Sequence, residues 1–114
     1  MDPVRARLLA ELASNAEALA DLARDHDGVV AASREANADD EHDPEGATVA
    51  FERQQLVALT EQARATRASL LQALVQLDDG TYGVCERCGE PIGDERLQAR
   101  PGARTCIACA RQRR

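Results

Sequence analysis

Four cysteines set the tightest limit on what this 114-residue chain can fold into, and they fall in two like pairs. Cys85 and Cys88 make one C-x-x-C, Cys106 and Cys109 make the other, and seventeen residues separate Cys88 from Cys106. Two residues between cysteines let both thiolates of a pair turn toward one ion, and two such knuckles complete a tetrahedral shell of four sulfurs. The spacing predicts one Zn2+ ion. Because a four-sulfur shell leaves no position open for water, the ion is structural rather than catalytic. Gly89 directly follows Cys88, where a backbone turning its amides toward sulfur needs freedom in φ. Pro91, Gly93 and Pro101-Gly102 supply the turns of a short, loop-rich module. A disulfide scaffold would need an oxidising compartment. The opening Met1-Asp2-Pro3-Val4-Arg5 lacks the basic region and apolar stretch of an export signal. A thioredoxin-type site uses one C-x-x-C beside a βαβ pattern, which is missing here.

The rest of the chain must fold with few large side chains. With one Phe, one Tyr and no Trp, its core has to be built from Leu, Val and Ala. Small aliphatic residues pack best between closely spaced helices, so the composition favours a helical hairpin over a globule. No apolar run approaches the roughly twenty residues that span a bilayer. Thiols, zinc and the lack of an export pattern lead us to expect a cytoplasmic protein without a membrane segment. The net charge of −6 is unevenly spread. Residues 1–79 carry 16 acids against 7 arginines, and residues 80–114 carry 4 acids against 7 arginines. The first part should avoid nucleic acid, and the second could accept an anionic partner.

Helix signals bracket two long segments. Asp2-Pro3 reads as an N-cap followed by proline at the first helical position. From there to about Asn37 the aliphatic positions repeat in heptads, with Leu12, Leu19, His26 and Ser33 on one row and Leu8, Asn15, Leu22 and Val29 on the other. Asp43-Pro44-Glu45 repeats the N-cap, proline and acidic first turn, so a second helix starts near Pro44 and runs to about Leu77 or Asp78. Its seam holds Val49, Leu56, Ala63, Leu70 and Leu77, with Leu59 and Ala73 on the neighbouring row. Two helices of about 30 residues joined by a short turn bury both seams most simply as an antiparallel hairpin. The expected fold is therefore mainly α: a long antiparallel two-helix hairpin of coiled-coil type over 1–79, then a small C4 zinc finger with a short C-terminal helix over 80–114. His26 lies on the seam and reads as a packed histidine, and His42 sits among acids.

The turn, near 37–46, is strongly acidic. Glu35, Asp39, Asp40, Glu41, Asp43, Glu45 and Glu52 fall in one stretch that contains no Lys or Arg. Such a turn reads either as a solvated cap that keeps the hairpin end soluble or as negative charge carried into a narrow cleft. A hairpin with this tip, followed by T-Y-G-V-C-E-R-C-G-E-P-I, R-L-Q-A-R-P and C-I-A-C, resembles the DksA/TraR family of bacterial transcription regulators. The resemblance implies a partner, RNA polymerase, bound by insertion of the hairpin through the secondary channel so that tip acids lie near the catalytic Mg2+. It implies no direct sequence-specific DNA binding. Some members work together with the alarmone ppGpp. The family's tip pattern is D-x-x-D-x-A. Asp40 and Asp43 match its two acids, Glu41 lies between them, and Glu45 stands where the pattern has alanine.

Two other readings stay open on the residues alone. One is a nucleic-acid-binding zinc finger using Arg87, Arg96, Arg100, Arg104 and the terminal arginines, although Tyr82 is the finger's only aromatic residue for base stacking. The other is a thiol-based redox sensor that releases zinc on oxidation. The chain does not read as an enzyme: it shows no Ser-His-Asp set, no glycine-rich phosphate loop and no open metal position.

Overall fold

The computed structural model describes residues 2–39 and 44–112, excluding the side chains at 33, 35–39, 44 and 45. The turn residues Asp40, Glu41, His42 and Asp43 lie outside it, as do the side chains of Glu45 and Ser33. Two long helices dominate: α1 over Pro3–Asp39 and α2 over Pro44–Asp79. They are 37 and 36 residues long, somewhat more than the roughly 30 expected, and each ends a residue or two past the point its sequence pattern marks. Two short helices follow, α3 over Asp94–Ala99 and α4 over Ile107–Arg111. None of the helices among the described residues is long and apolar enough to cross a membrane.

The helix ends form as local chemistry dictates. The Asp2 carboxylate accepts the Val4 N–H at 2.9 Å, satisfying one of the free donors of the first turn, while Pro3 brings no N–H that would need a partner. At the end of α2 the Thr81 N–H turns back to the Gln76 carbonyl at 2.9 Å. The Asp79 carboxylate also accepts the Thr81 N–H at 3.1 Å and its hydroxyl at 2.5 Å. This chemistry stops the helix one residue before Gly80.

The helices run antiparallel, and the described chain forms two compact units, residues 1–14 with 66–114 and residues 15–65. The first unit holds the buried core. Leu8 is fully buried and packs with Leu70 and Ala73, while Val4, Leu12, Leu74, Leu77 and Tyr82 close around them. Burial is complete here because the finger adds a third layer beside the two helices. In the second unit the helices have only each other, and the seam stays half-buried: Asn15, Leu19, Leu22, His26 and Val29 from α1, and Val49, Leu56, Thr60 and Ala63 from α2. These are the rows the heptads predict, with one correction. Leu59 was expected on the second row but is 46% exposed. Positions 59 and 60 flank the Leu56–Ala63 row, and the helix turns the smaller Thr60 inward. Its hydroxyl donates back to the Leu56 carbonyl at 2.8 Å, so the donor is satisfied where it lies.

Asn15 is a polar member of this seam. Its Nδ2 donates to the Ala63 carbonyl at 3.0 Å, while its Oδ1 is buried without a hydrogen-bond partner. An amide at a core heptad position favours one helix register at a cost in stability. Replacing Asn15 with Leu should therefore raise the unfolding free energy by about 1 kcal/mol. Leu8→Ala, which empties the best-buried position, should lower it by about 2–4 kcal/mol. Urea denaturation of the zinc-loaded protein measures both, and a destabilised Asn15→Leu variant would show that the amide's single hydrogen bond outweighs its unpaired oxygen.

Candidate metal centre

The first knuckle is a tight backbone hairpin. Val84 and Pro91 form an isolated antiparallel bridge. The Cys85 N–H donates to the Glu90 carbonyl at 2.8 Å, and the Ile92 N–H donates to the Gly83 carbonyl at 2.8 Å. Gly89 closes the loop, its N–H reaching the Cys85 carbonyl at 2.9 Å with φ at 77°, a conformation that a side chain would strain. The second knuckle is a helix start. Cys106 caps α4 in an extended conformation, Cys109 sits in its first turn, and the Ala110 N–H bonds the Cys106 carbonyl at 2.9 Å. Opposite ends of the motif therefore use different local structures to aim their sulfurs inward.

The four sulfurs of Cys85, Cys88, Cys106 and Cys109 all lie within 4.8 Å of one another, and Cys88 and Cys106 Sγ are 3.8 Å apart. A tetrahedral Zn2+ with Zn–S bonds of about 2.3 Å needs sulfurs about 3.8 Å apart, so the geometry fits the ion. The same spacing is far too long for a disulfide, and all four cysteines are free. Cys85 is the buried member and Cys88 the exposed one.

Left to themselves the thiols would hold their protons unequally. Backbone N–H groups of Cys106 and then Cys88 draw Cys85 down to about 6. A hydrogen bond with the Cys106 side chain, followed by burial, pushes Cys109 up to about 12. At Cys88 the Glu90 backbone pulls downward, but its hydrogen bond with Cys85 and burial leave the thiol raised. Cys85 is thus the most readily ionised of these three thiols, and Cys88 and Cys109 lose their protons to solvent when the ion binds.

The two knuckles are also tied to each other. The Glu86 N–H donates to the Arg104 carbonyl at 3.0 Å, and Arg104 Nε returns to Glu86 Oε2 at 3.0 Å. One guanidinium nitrogen of Arg87 donates to the Cys109 carbonyl at 3.3 Å, and Arg96 Nε donates to the Thr105 carbonyl at 2.8 Å. Three of the arginines that the sequence offers for contact with nucleic acid are therefore engaged within the finger.

Sequence reasoning missed α3, although Asp94 and Glu95 in its first turn are a start signal of the kind that marks α2. It also missed Arg7, whose partners lie some ninety positions away and leave no local trace. The Arg7 guanidinium donates to the Leu97 carbonyl at 3.5 Å and to the Gln98 carbonyl, gripping α3 from α1. Tyr82 packs on the helical core and donates its hydroxyl to the Pro101 carbonyl at 2.8 Å. Burial raises the Tyr82 pKa, and the Arg7 charge opposes that rise. Gly102 lies so close to α2 that a Cβ there would stand 3.3 Å from the backbone of Ser69 and Leu70.

Two long antiparallel helices followed by a segment with four converging cysteines define a helical-hairpin protein with a C4 metal finger. Residues 80–113 match the prokaryotic dksA/traR C4-type zinc finger. The chain is 62% identical over 32 residues to the RNA polymerase-binding transcription factor DksA of Caulobacter vibrioides, covering 28% of this chain and 22% of that one. It is 38% identical over 71 residues to the uncharacterized protein YteA of Bacillus subtilis, covering 62% of this chain and 30% of that one. These matches span no more than about a third of the curated relatives' own length. The structure of the transcription factor DksA2 from Pseudomonas aeruginosa is similar over 97% of this chain and 80% of that one, with a TM-score of 0.59 and 28% identity. Residues 80–113 thus form a finger of the dksA/traR C4 type, on a chain whose fold is similar to that of DksA2, and its cofactor is one Zn2+ ion.

Protons compete with zinc for sulfur, so affinity must fall as pH falls, and more steeply below about 6, where Cys85 also takes up a proton. Loading the metal-free protein at pH 7.5 should release about two or more protons per ion, chiefly from Cys88 and Cys109. Calorimetric titration in buffers of different ionisation enthalpy measures that number. A value near zero would mean that the thiols are already ionised.

Proposed function

We propose that this protein regulates bacterial transcription by binding RNA polymerase, with Cys85, Cys88, Cys106 and Cys109 as the ligands of a structural zinc ion. The observation that carries the reading is the likeness to DksA2 along nearly the whole chain, joined to a finger matched by polymerase-binding relatives. The hairpin enters the secondary channel and carries its acidic turn toward the active centre. There Asp40 and Asp43, flanked by Glu41 and Glu45, act near the catalytic Mg2+. Carboxylates so placed can coordinate, repel or compete for a hard cation. The chemistry belongs to the polymerase, in the cytoplasm, and this chain modulates it without a catalytic site of its own. The engagement of Arg87, Arg96 and Arg104 within the finger supports a protein partner over sequence-specific contact with DNA.

The test is in vitro transcription from a stable-RNA promoter, with and without ppGpp, alongside direct polymerase binding. Wild type should change the lifetime of the open complex. Asp40→Asn/Asp43→Asn should bind polymerase within about two-fold of wild type yet lose that effect, since it removes charge at the turn and leaves the rest of the chain unchanged. A wild-type protein that fails to bind polymerase at micromolar concentration would overturn the reading.

A further inference from the structure

The segment from α3 to Gly102 lies between the second knuckle and the bases of the long helices, and it is held from both sides. On the metal side, Arg96 in α3 donates through Nε to the carbonyl of Thr105, the residue directly before the ligand position Cys106. Arg96 is half-buried, so this bond forms partly out of water, where a charged donor to a carbonyl holds more firmly than at the surface. On the helix side, Arg7 in α1 donates to the carbonyls of Leu97 and Gln98, which no later turn of so short a helix can pair. Leu97 also packs against Gly83, within 3.4 Å of where a Cβ would stand, and Pro101 is buried beneath the Tyr82 hydroxyl. Arg96 and Leu97 are adjacent on one turn of α3. A movement of the second knuckle therefore moves the carbonyls that Arg7 grips, and the reverse also holds.

We propose that Arg96 and Arg7 are positioning residues acting in series, so that zinc binding at the four cysteines and docking of α3 on the base of α1 tighten one another. Neither guanidinium touches the ion. Arg96 orients a ligand's neighbour from α3, and Arg7 holds α3 in place. Such coupling is reciprocal in free energy, so loosening the Arg7 grip must weaken the hold on zinc even though its hydrogen bonds go only to α3.

The experiment follows zinc release from the full chain into an excess of a coloured chelator, for wild type, Arg96→Gln, Arg7→Gln and the double variant. Loss of an outer-shell partner of a metal site typically costs about ten-fold or more, and Arg96→Gln should speed release by about that factor. Arg7→Gln should speed release by about five-fold, the lower end of ordinary coupling between sites. The double variant should match Arg96→Gln alone within about two-fold, because residues in one chain of contacts are not additive. Arg96→Lys and Arg7→Lys keep a charged donor and should recover part of each loss, and they replace the glutamine variants if those do not load zinc. Release from Arg7→Gln at the wild-type rate, or effects that multiply in the double variant, would overturn the proposal.

Discussion

Four sulfurs converging on one ion are the constraint on which the rest of the first compact unit depends. Beyond α2 the described finger buries only Cys85, Ile92 and Pro101, far too little apolar surface to order a loop-rich segment of this size. The ion supplies what the core lacks, because binding free energy at such a site is folding free energy. Once ordered, the finger gives Leu8, Leu70 and Ala73 the third layer that completes their burial. The best-packed part of the molecule is thus stabilised indirectly by a metal that touches none of its side chains.

The second unit lacks such a layer, and its composition fits that fact. Two helices facing only each other leave every seam residue partly open to water, so the seam tolerates His26, Thr60 and Asn15 where a closed core would not. Two of its half-buried polar side chains donate to backbone carbonyls, Thr60 to that of Leu56 and Asn15 to that of Ala63. On the proposed reading, a slender pair of helices suits entry into a channel.

Most of the architecture was legible because it rests on periodicity and on short-range chemistry. Asp2 and Pro3 mark the start of α1 through bonds that span two to four residues. The rows from Leu8 to Val29 and from Val49 to Leu77 follow from the α-helical repeat alone. Leu59 was misread because neighbouring positions on a helix differ by geometry that only the partner helix resolves. The short helix α3 was missed because six residues are too few for a period to show.

The sequence by itself determined the two helices, their seams and the four cysteines as a zinc site, since each is encoded in the spacing of like residues along the chain. Only the tertiary structure decided what the arginines do. Arg96, Arg87 and Arg104 read as free cations in the sequence, yet in the fold their guanidinium groups meet carbonyls and a carboxylate of the finger. Arg7 gave no sign of its role, because its partners Leu97 and Gln98 lie at the far end of the chain and contribute backbone oxygens. A carbonyl is common to every residue, so no pattern of side chains can announce that one of them will be a partner.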